Sequence, residues 1–372
     1  TNSIKDTGYD VANSCRFEDA SDDYLSRSVS SSGNRRTWTF SAWVKRANTT
    51  QQYQNMFAAG VNNIRINFSN QNIWVYDYNG SSFDFYLITN RLFRDVSAWY
   101  HIVVAVDTTQ GTDSNRVKLY INGVQETSFS TETYPSQNHD TEANTSGQNN
   151  VIGTDANSLG NNGFHGYMCE VVLIDGQQLD PTSFGEFDED SPTHWKPIDV
   201  SDLTFGTNGF HLDFEDSSAL GNDVSGNNND FSSTNLVATD QSTDTCTNNF
   251  ATYNALLSQV AGVDGRGGSW NGQLAEGNLS SGTAVDTYNN QFSTFGLTSG
   301  KWYAEFKMST TDNNFSHGIV NDVFFSGLGS YIGQSTSTGV RNIGYYSQTG
   351  QVLKNNSAQY TGSTYGVSGT DV

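Results

Sequence analysis

Glu186-Phe187-Asp188-Glu189-Asp190 sets three carboxylates at alternate positions, the spacing by which a strand could carry a pair of catalytic acids. Retaining glycoside hydrolysis needs two carboxyls about 5–5.5 Å apart, facing the scissile bond from a firm support. This run ends in Asp and leads to Pro192, which fits a solvated acidic turn better. The histidines at 101, 139, 165, 194, 211 and 317 form neither H-x-H nor H-E-x-x-H, so metal-assisted hydrolysis has no basis in spacing. His101 sits in a strand-like run and reads as a packed, hydrogen-bonded imidazole. Gly262-Val263-Asp264-Gly265-Arg266-Gly267-Gly268 lacks the Lys-Ser/Thr pair of a phosphate loop. Gly327-Leu328-Gly329 reads as a turn, and no G-x-S-x-G elbow occurs. No catalytic residue is assigned, and the chain is expected not to be an enzyme.

Binding chemistry has more to work with. Calcium takes six to eight oxygens, and Asp213, Glu215, Asp216, Asn222, Asp223, Asn227, Asn228 and Asp230 crowd one stretch, Asp19, Asp22 and Asp23 another. Neither has EF-hand spacing. Asp213, Asp216 and Asp223 are the calcium candidates, against the competing reading that Asn, Asp and Gly are there to make turns. Sugar recognition uses an exposed aromatic ring beside a polar side chain. Trp74, Tyr76 and Tyr78 around Asp77 meet that description, the competing reading being a layer of core aromatics.

The elements that must position these groups are strands. With 22 Phe, 18 Tyr, 7 Trp and 36 Gly in 372 residues, the chain suits half-buried strands joined by many turns, and its length suggests two domains. Eighteen basic against 39 acidic residues leave a formal charge of -21, which repels phosphate backbones and anionic lipid. No apolar run approaches the roughly 18–20 residues that span a bilayer. Thr1 is not an initiator Met, so the start is expected to be processed or incomplete and carries no readable targeting segment. Three cysteines are too few for a disulfide framework or a zinc site. Cys15 and Cys169, on the first and last strands of one layer pair, leave a single bridge open.

Trp99 to Asp107 is apolar on both faces, as in a strand buried between two layers. Asn115 to Gln125 alternates Val117, Leu119 and Ile121 against Lys118 and Tyr120 before the positive-φ pair Asn122-Gly123 of a tight hairpin. Further strands follow Ile64, Ile66 and Phe68, then Ile73 to Tyr78, then Phe83 to Thr89. Ser130 to Asn150 is polar and aperiodic and reads as a long exposed loop. Leu179 to Phe184, with its Asp180-Pro181 start, reads as a short helix. Phe210 to Phe214 alternates as a strand packing back on the first domain.

The V-K-L-Y-I-N-G hairpin at 117–123 resembles the central hairpin of laminin-G and pentraxin-type modules of the concanavalin A-like lectin and glucanase superfamily. Cys15 to Ser26, Thr37 to Arg46 and Gly166 to Gln178 are similar to other strands of such modules, in the right order, over roughly residues 10–195. Phe292 to Met308, with Gly300-Lys301-Trp302-Tyr303-Ala304-Glu305, resembles an early strand of SPRY domains. Gly318 to Val320, Asn342 to Tyr345 and Tyr365-Gly366 fit strands that follow, although the sequence stops before such a domain would finish. The resemblances imply an all-β chain with two antiparallel, jelly-roll-like β-sandwiches in tandem. The divisions are 1–198 for the laminin-G-type module, 199–267 for an Asn/Asp/Ser-rich connector with one or two strands, and 268–372 for an incomplete SPRY-like domain.

Such a pairing is similar to virion surface proteins of tailed bacteriophages. It implies a non-enzymatic tail fibre, spike or capsid-surface appendage, located on the virion surface, with host-surface glycans as candidate ligands. Its partners would be other virion proteins and copies of itself, a homo-oligomer that in fibres is often a trimer, and neither nucleic acid nor an inserted membrane. No cofactor is implied, with calcium left open. The alternatives are a secreted or cell-surface bacterial carbohydrate-binding protein and a glycan-degrading enzyme.

Overall fold

The computed structural model describes residues 8–61, 64–255, 274–281, 292–297, 300–305, 316–320, 342–346, 351–354 and 357–361. Two compact units emerge, one of Thr1–Ala255 with Ala275–Ser280, the other of Leu256–Leu274 with Ser281–Val372.

In the first unit the strands are β1 Ser14–Phe17, β2 Tyr24–Ser28, β3 Thr37–Arg46, β4 Gln54–Ala59, β5 Ile64–Ser69 and β6 Asn72–Tyr78. They continue with β7 Phe83–Thr89, β8 Trp99–Asp107, β9 Val117–Ile121, β10 Val124–Gln125, β11 Phe129–Thr133 and β12 Asn149–Ile152. The last six are β13 Gly166–Asp175, β14 Gly185–Phe187, β15 Trp195–Pro197, β16 Phe210–Leu212, β17 Ser232–Thr234 and β18 Gln241–Ser242. One sheet runs β10-β9-β8-β3-β13-β1-β18 with β16 also on β13, and the other runs β11-β7-β6-β5-β4-β12-β2-β17.

Alternation builds the core. Trp38, Phe40, Ala42 and Val44 of β3 and Ile102, Val104 and Val106 of β8 meet Phe57, Ile66, Phe68, Val75, Phe85 and Leu87 of the opposite sheet. Phe40 stacks on Phe57 at 5.1 Å. The other faces of β3 and β8 are also buried, because Phe184, Trp195, Val200 and Phe205 lie over Trp43, Val103 and Ala105. That second cover is the physical reason β8 is apolar on both sides. The stretch expected to be helical beyond Leu179 is only a 3-10 turn, Pro181–Ser183, since β14 begins at Gly185 and leaves no room to propagate a helix.

Asn122 and Gly123 turn the β9–β10 hairpin with φ of 49° and 79°. A Cβ on Gly123 would sit 2.3 Å from the Trp195 ring. Gly123→Ala is therefore expected to cost about 1–3 kcal/mol in urea unfolding, through strain and displacement of Trp195. An unchanged midpoint would show that the ring yields freely.

Ser130 to Asn150 is not the open loop its polarity suggests. β11 runs to Thr133, β12 starts at Asn149, and Thr141, Ala143 and Asn144 are fully buried. Hydrogen bonds replace apolar contacts there: Trp38 Nε1 donates to Thr141 Oγ1 at 3.0 Å and Asn144 Nδ2 to Asp175 Oδ1 at 3.2 Å. Residues 199–255 likewise build the sandwich, β16 pairing with β13, β17 with β2 and β18 with β1. Phe210, Leu212, Phe214, Leu220 and Phe231 join the core, and Asn227 and Asn229 side chains donate to the Gly209 carbonyl at 2.9 and 2.8 Å.

Cys15 pairs with Met168, which places Cys169 on the other side of the pleat. Cys15 packs in the core while Cys169 joins the outer cluster, so a bridge between them is excluded by geometry.

In the second unit Ser316–Val320, Asn342–Tyr346, Gln351–Lys354 and Ser357–Thr361 form an antiparallel four-stranded sheet in chain order. Strands therefore occur at Gly318 to Val320 and Asn342 to Tyr345, two of the places where the resemblance implies them. The strand expected through Trp302 and Ala304 does not form over residues 301–305, and Trp302 and Tyr303 are exposed. Phe306, Met308 and Tyr365-Gly366 lie outside the described residues.

Candidate functional site

The period of two along β6 sends Ile73 and Val75 into the core and Trp74, Tyr76 and Tyr78 to the opposite face of the sheet. Across the ladder Tyr76 lies opposite Tyr86 and Tyr78 opposite Phe83, so β7 adds two rings to the same face. Trp74 meets Tyr86 at 5.5 Å and Tyr53 at 5.6 Å, both edge-on. Tyr76 meets Phe83 at 5.3 Å, Tyr78 meets Phe83 at 5.2 Å, and Phe83 stacks on Tyr86 at 4.4 Å. Phe83 is 45% exposed, Trp74, Tyr78 and Tyr86 are half-buried, and Tyr76 is buried beneath them. Arg65 fixes the floor, donating to the Tyr76 hydroxyl at 2.9 Å and pairing with Asp155 at 2.5 Å. Burial raises the Tyr76 and Tyr86 hydroxyls above the usual phenol range, so they stay neutral and able to donate. The result is an aromatic platform with open ring surface and hydroxyl donors, able to stack on the C–H face of a sugar.

Asp77 is not part of this platform. It is 2% exposed, on the core side of β6, and accepts from His139 Nε2 at 3.0 Å. Asp84, brought round by the bulge between Asp77 and Tyr78, lies 4.0 Å from the same nitrogen. Asp77, Asp84 and His139 are the group of three among the described residues whose donor atoms lie close enough, within 4.8 Å of one another, to hold a metal ion. His139 arrives from the stretch read as a loop, and no periodicity marks it.

The calcium candidates do not converge. Asp223 is buried, and its carboxylate accepts from the backbone of His211, Ser225 and Asn229 and from the Ser225 hydroxyl. Asp216 accepts from Ser218 backbone and hydroxyl, and Asp213 from the Glu215 N–H. Each carboxylate holds its own turn, and the backbone donors of Asp216 keep it below the ordinary carboxylate range together with the Ser218 hydroxyl, which acts first.

Two arrangements invite a catalytic reading and fail it on geometry. Glu186 sits on exposed β14 and pairs with Lys196 at 3.2 Å, while Asp188 accepts from Asp190 and Ser191 N–H groups to close a turn. Ser41 Oγ lies 2.8 Å from His101 Nε2, as a nucleophile and base would. Yet Trp195 Nε1 donates to His101 Nδ1 at 2.9 Å, which leaves the imidazole proton on Nε2 and makes Ser41 the acceptor. The space between Ser41, Trp43, Glu170 and Phe184 is too small for a water molecule.

Residues 19–179 match the laminin-G form of the Concanavalin A-like lectin/glucanases superfamily, so this part of the sandwich is similar to the modules of that superfamily. Among solved structures, the heptameric SAP-like pentraxin of Limulus polyphemus is similar at 15% identity, over 46% of this chain and 79% of that one, with a TM-score of 0.35. Domains LG4-5 of the mouse laminin alpha1 chain are similar at 13% identity over 52% of this chain and 46% of that chain, with a TM-score of 0.34. Tailspike protein 2 of Escherichia coli O157:H7 bacteriophage CAB120 is similar at 14% identity over 45% of this chain and 23% of that chain, with a TM-score of 0.32. No curated protein matches the chain.

Proposed function

We propose that this chain is a non-enzymatic glycan-binding protein whose ligand lies on the Trp74, Tyr76, Tyr78, Phe83 and Tyr86 face, and that it serves on the surface of a tailed-bacteriophage virion as a fibre, spike or capsid appendage. The observation that carries the binding reading is the platform itself: five rings gathered on the non-core face of a sheet, with Phe83 45% exposed. Core packing does not require aromatic side chains on that face. The virion reading is supported by the order of a laminin-G-type module followed by SPRY-like sequence, and by an acidic balance that keeps such a protein off packaged nucleic acid. A secreted bacterial carbohydrate-binding protein would use the same face, and proteomics of purified particles separates the two.

A glycan array identifies the sugar, and titration calorimetry with the best oligosaccharide measures it. Trp74→Ala and Tyr86→Ala are each expected to weaken binding about tenfold or more, the worth of one stacked ring, with unfolding midpoints near those of the parent. Ring stacking needs no cation, so binding is expected to survive chelator. Undiminished affinity in both variants would place the ligand elsewhere.

A further inference from the structure

We propose that Cys169 and Cys246 are a disulfide-forming pair, a covalent staple between the centre of the sandwich and the segment that wraps it. Their sulfurs lie 3.8 Å apart although the residues are 77 positions apart in sequence. Cys169 is on β13, held on both sides by neighbouring strands and packed with Trp43, Tyr167 and Trp195. Cys246 is in a turn closed by reciprocal Thr245–Asn248 backbone bonds, 3.2 and 3.1 Å. The turn is anchored one step earlier, where Ser14 Oγ donates to the Asp244 carbonyl at 2.6 Å. Bond formation requires the sulfurs to close from 3.8 Å to roughly 2.05 Å. Cys246 is partly exposed and Cys169 is fully buried, which fixes the order of events.

The Cys246 thiolate attacks a small disulfide such as oxidised glutathione and releases one glutathione thiolate. The Cys169 thiolate then attacks the Cys246 sulfur and releases the second. The two protein sulfurs are oxidised, the glutathione disulfide is reduced, and the two thiol protons end on the two glutathiones. Burial pushes the Cys246 thiol well up, so exchange is slow at neutral pH and quickens as pH rises. Cys15 serves as an internal reference because it is buried on the opposite face of the sheet, away from both.

The experiment incubates the full chain with oxidised glutathione at pH 8.5, then alkylates under denaturing conditions and maps peptides. The expected product lacks two hydrogens, about 2 Da, with 169 and 246 linked and Cys15 alkylated. Its Tm is expected to rise by roughly 5–10 °C over the reduced form, as closure of a loop this long implies. Cys169→Ser is expected to trap one glutathione on Cys246, and Cys246→Ser to take up none on Cys169 without denaturant. Three free thiols after prolonged oxidation, a link that includes Cys15, or a linked product with no rise in Tm would each overturn the proposal.

Discussion

Asp244→Ala is expected to lower the stability of the first unit by about 3–5 kcal/mol, the cost of stranding a buried charge. Lys45 is 1% exposed and Asp244 4%, at 2.8 Å. The ammonium has three donors and finds three acceptors: Asp244 Oδ2 at 2.8 Å, Asn249 Oδ1 at 2.8 Å and the Phe250 carbonyl at 2.7 Å. The other carboxylate oxygen accepts from Trp99 Nε1 and the Phe250 N–H, each at 3.2 Å. Removing the carboxylate leaves a cation among neutral groups and two unpaired donors. By contrast the Arg36–Asp140 pair, as close at 2.7 Å but 43% and 48% exposed, is screened by water, and its loss is expected to change stability far less. Burial already holds Lys45 below the usual lysine range, and loss of Asp244 removes the main opposing influence. A base depressed in the folded state binds fewer protons than in the unfolded chain, so the variant should recover stability as pH rises towards about 10. Urea midpoints for the two single variants Asp244→Ala and Asp140→Ala at pH 7 and pH 9.5 test both statements. Equal costs at the two sites would mean that water reaches Lys45.

What sequence made legible was whatever depends on a period of two. Ile102, Val104 and Val106 against Val103 and Ala105 announced a strand between layers, Asn122-Gly123 announced its hairpin, and Trp74, Tyr76 and Tyr78 were assigned to one face. The same period puts Asp77 on the other face, although closeness in the chain had grouped it with the rings. Partners across the ladder are a matter of register, and here the register is set by a bulge between Asp77 and Tyr78. Tyr86, Phe83 and Asp84 therefore could not be matched to β6 from sequence. Residues 130–150, and 199–255 apart from the strand at Phe210, hid their order for a different reason. Much of their order is carried by amide and carboxylate hydrogen bonds to backbone, as at Asn227, Asn229 and Asp223, and such bonds leave no hydrophobic pattern. The same kind of bond accounts for Asp213, Asp216 and Asp223, each of which holds its own turn.

Two buried histidines, His101 and His165, weaken the fold in acid. His101 is fully buried among Ser41, Trp43, Phe184 and Trp195, and burial alone lowers its pKa from 6.5 to about 3. His165 is lowered to about 4 by burial, with Asp19 opposing. Both folded-state values lie below the unfolded one, so between pH 6.5 and about 3 the unfolded chain holds more protons and acidification favours it. At about 1.4 kcal/mol per unit, each costs about 2.5 kcal/mol on going from pH 7 to 4.5. Asp23 works the other way. Burial raises its pKa to about 6, a group whose stabilising effect is lost as pH rises through 6, so acidification offsets part of the histidine cost. His101→Phe separates the contributions: it strands Trp195 Nε1 and Ser41 Oγ and is less stable at pH 7, yet its loss between pH 7 and 4.5 should be smaller than the parent's by nearly the whole His101 share. Urea midpoints at the two pH values read that difference, and the imidazole resonances of His101 should show no titration above pH 4.5. An unchanged pH slope in the variant, or a His101 that titrates near 6, would mean that protonation is accommodated inside the fold and that acid acts through other groups.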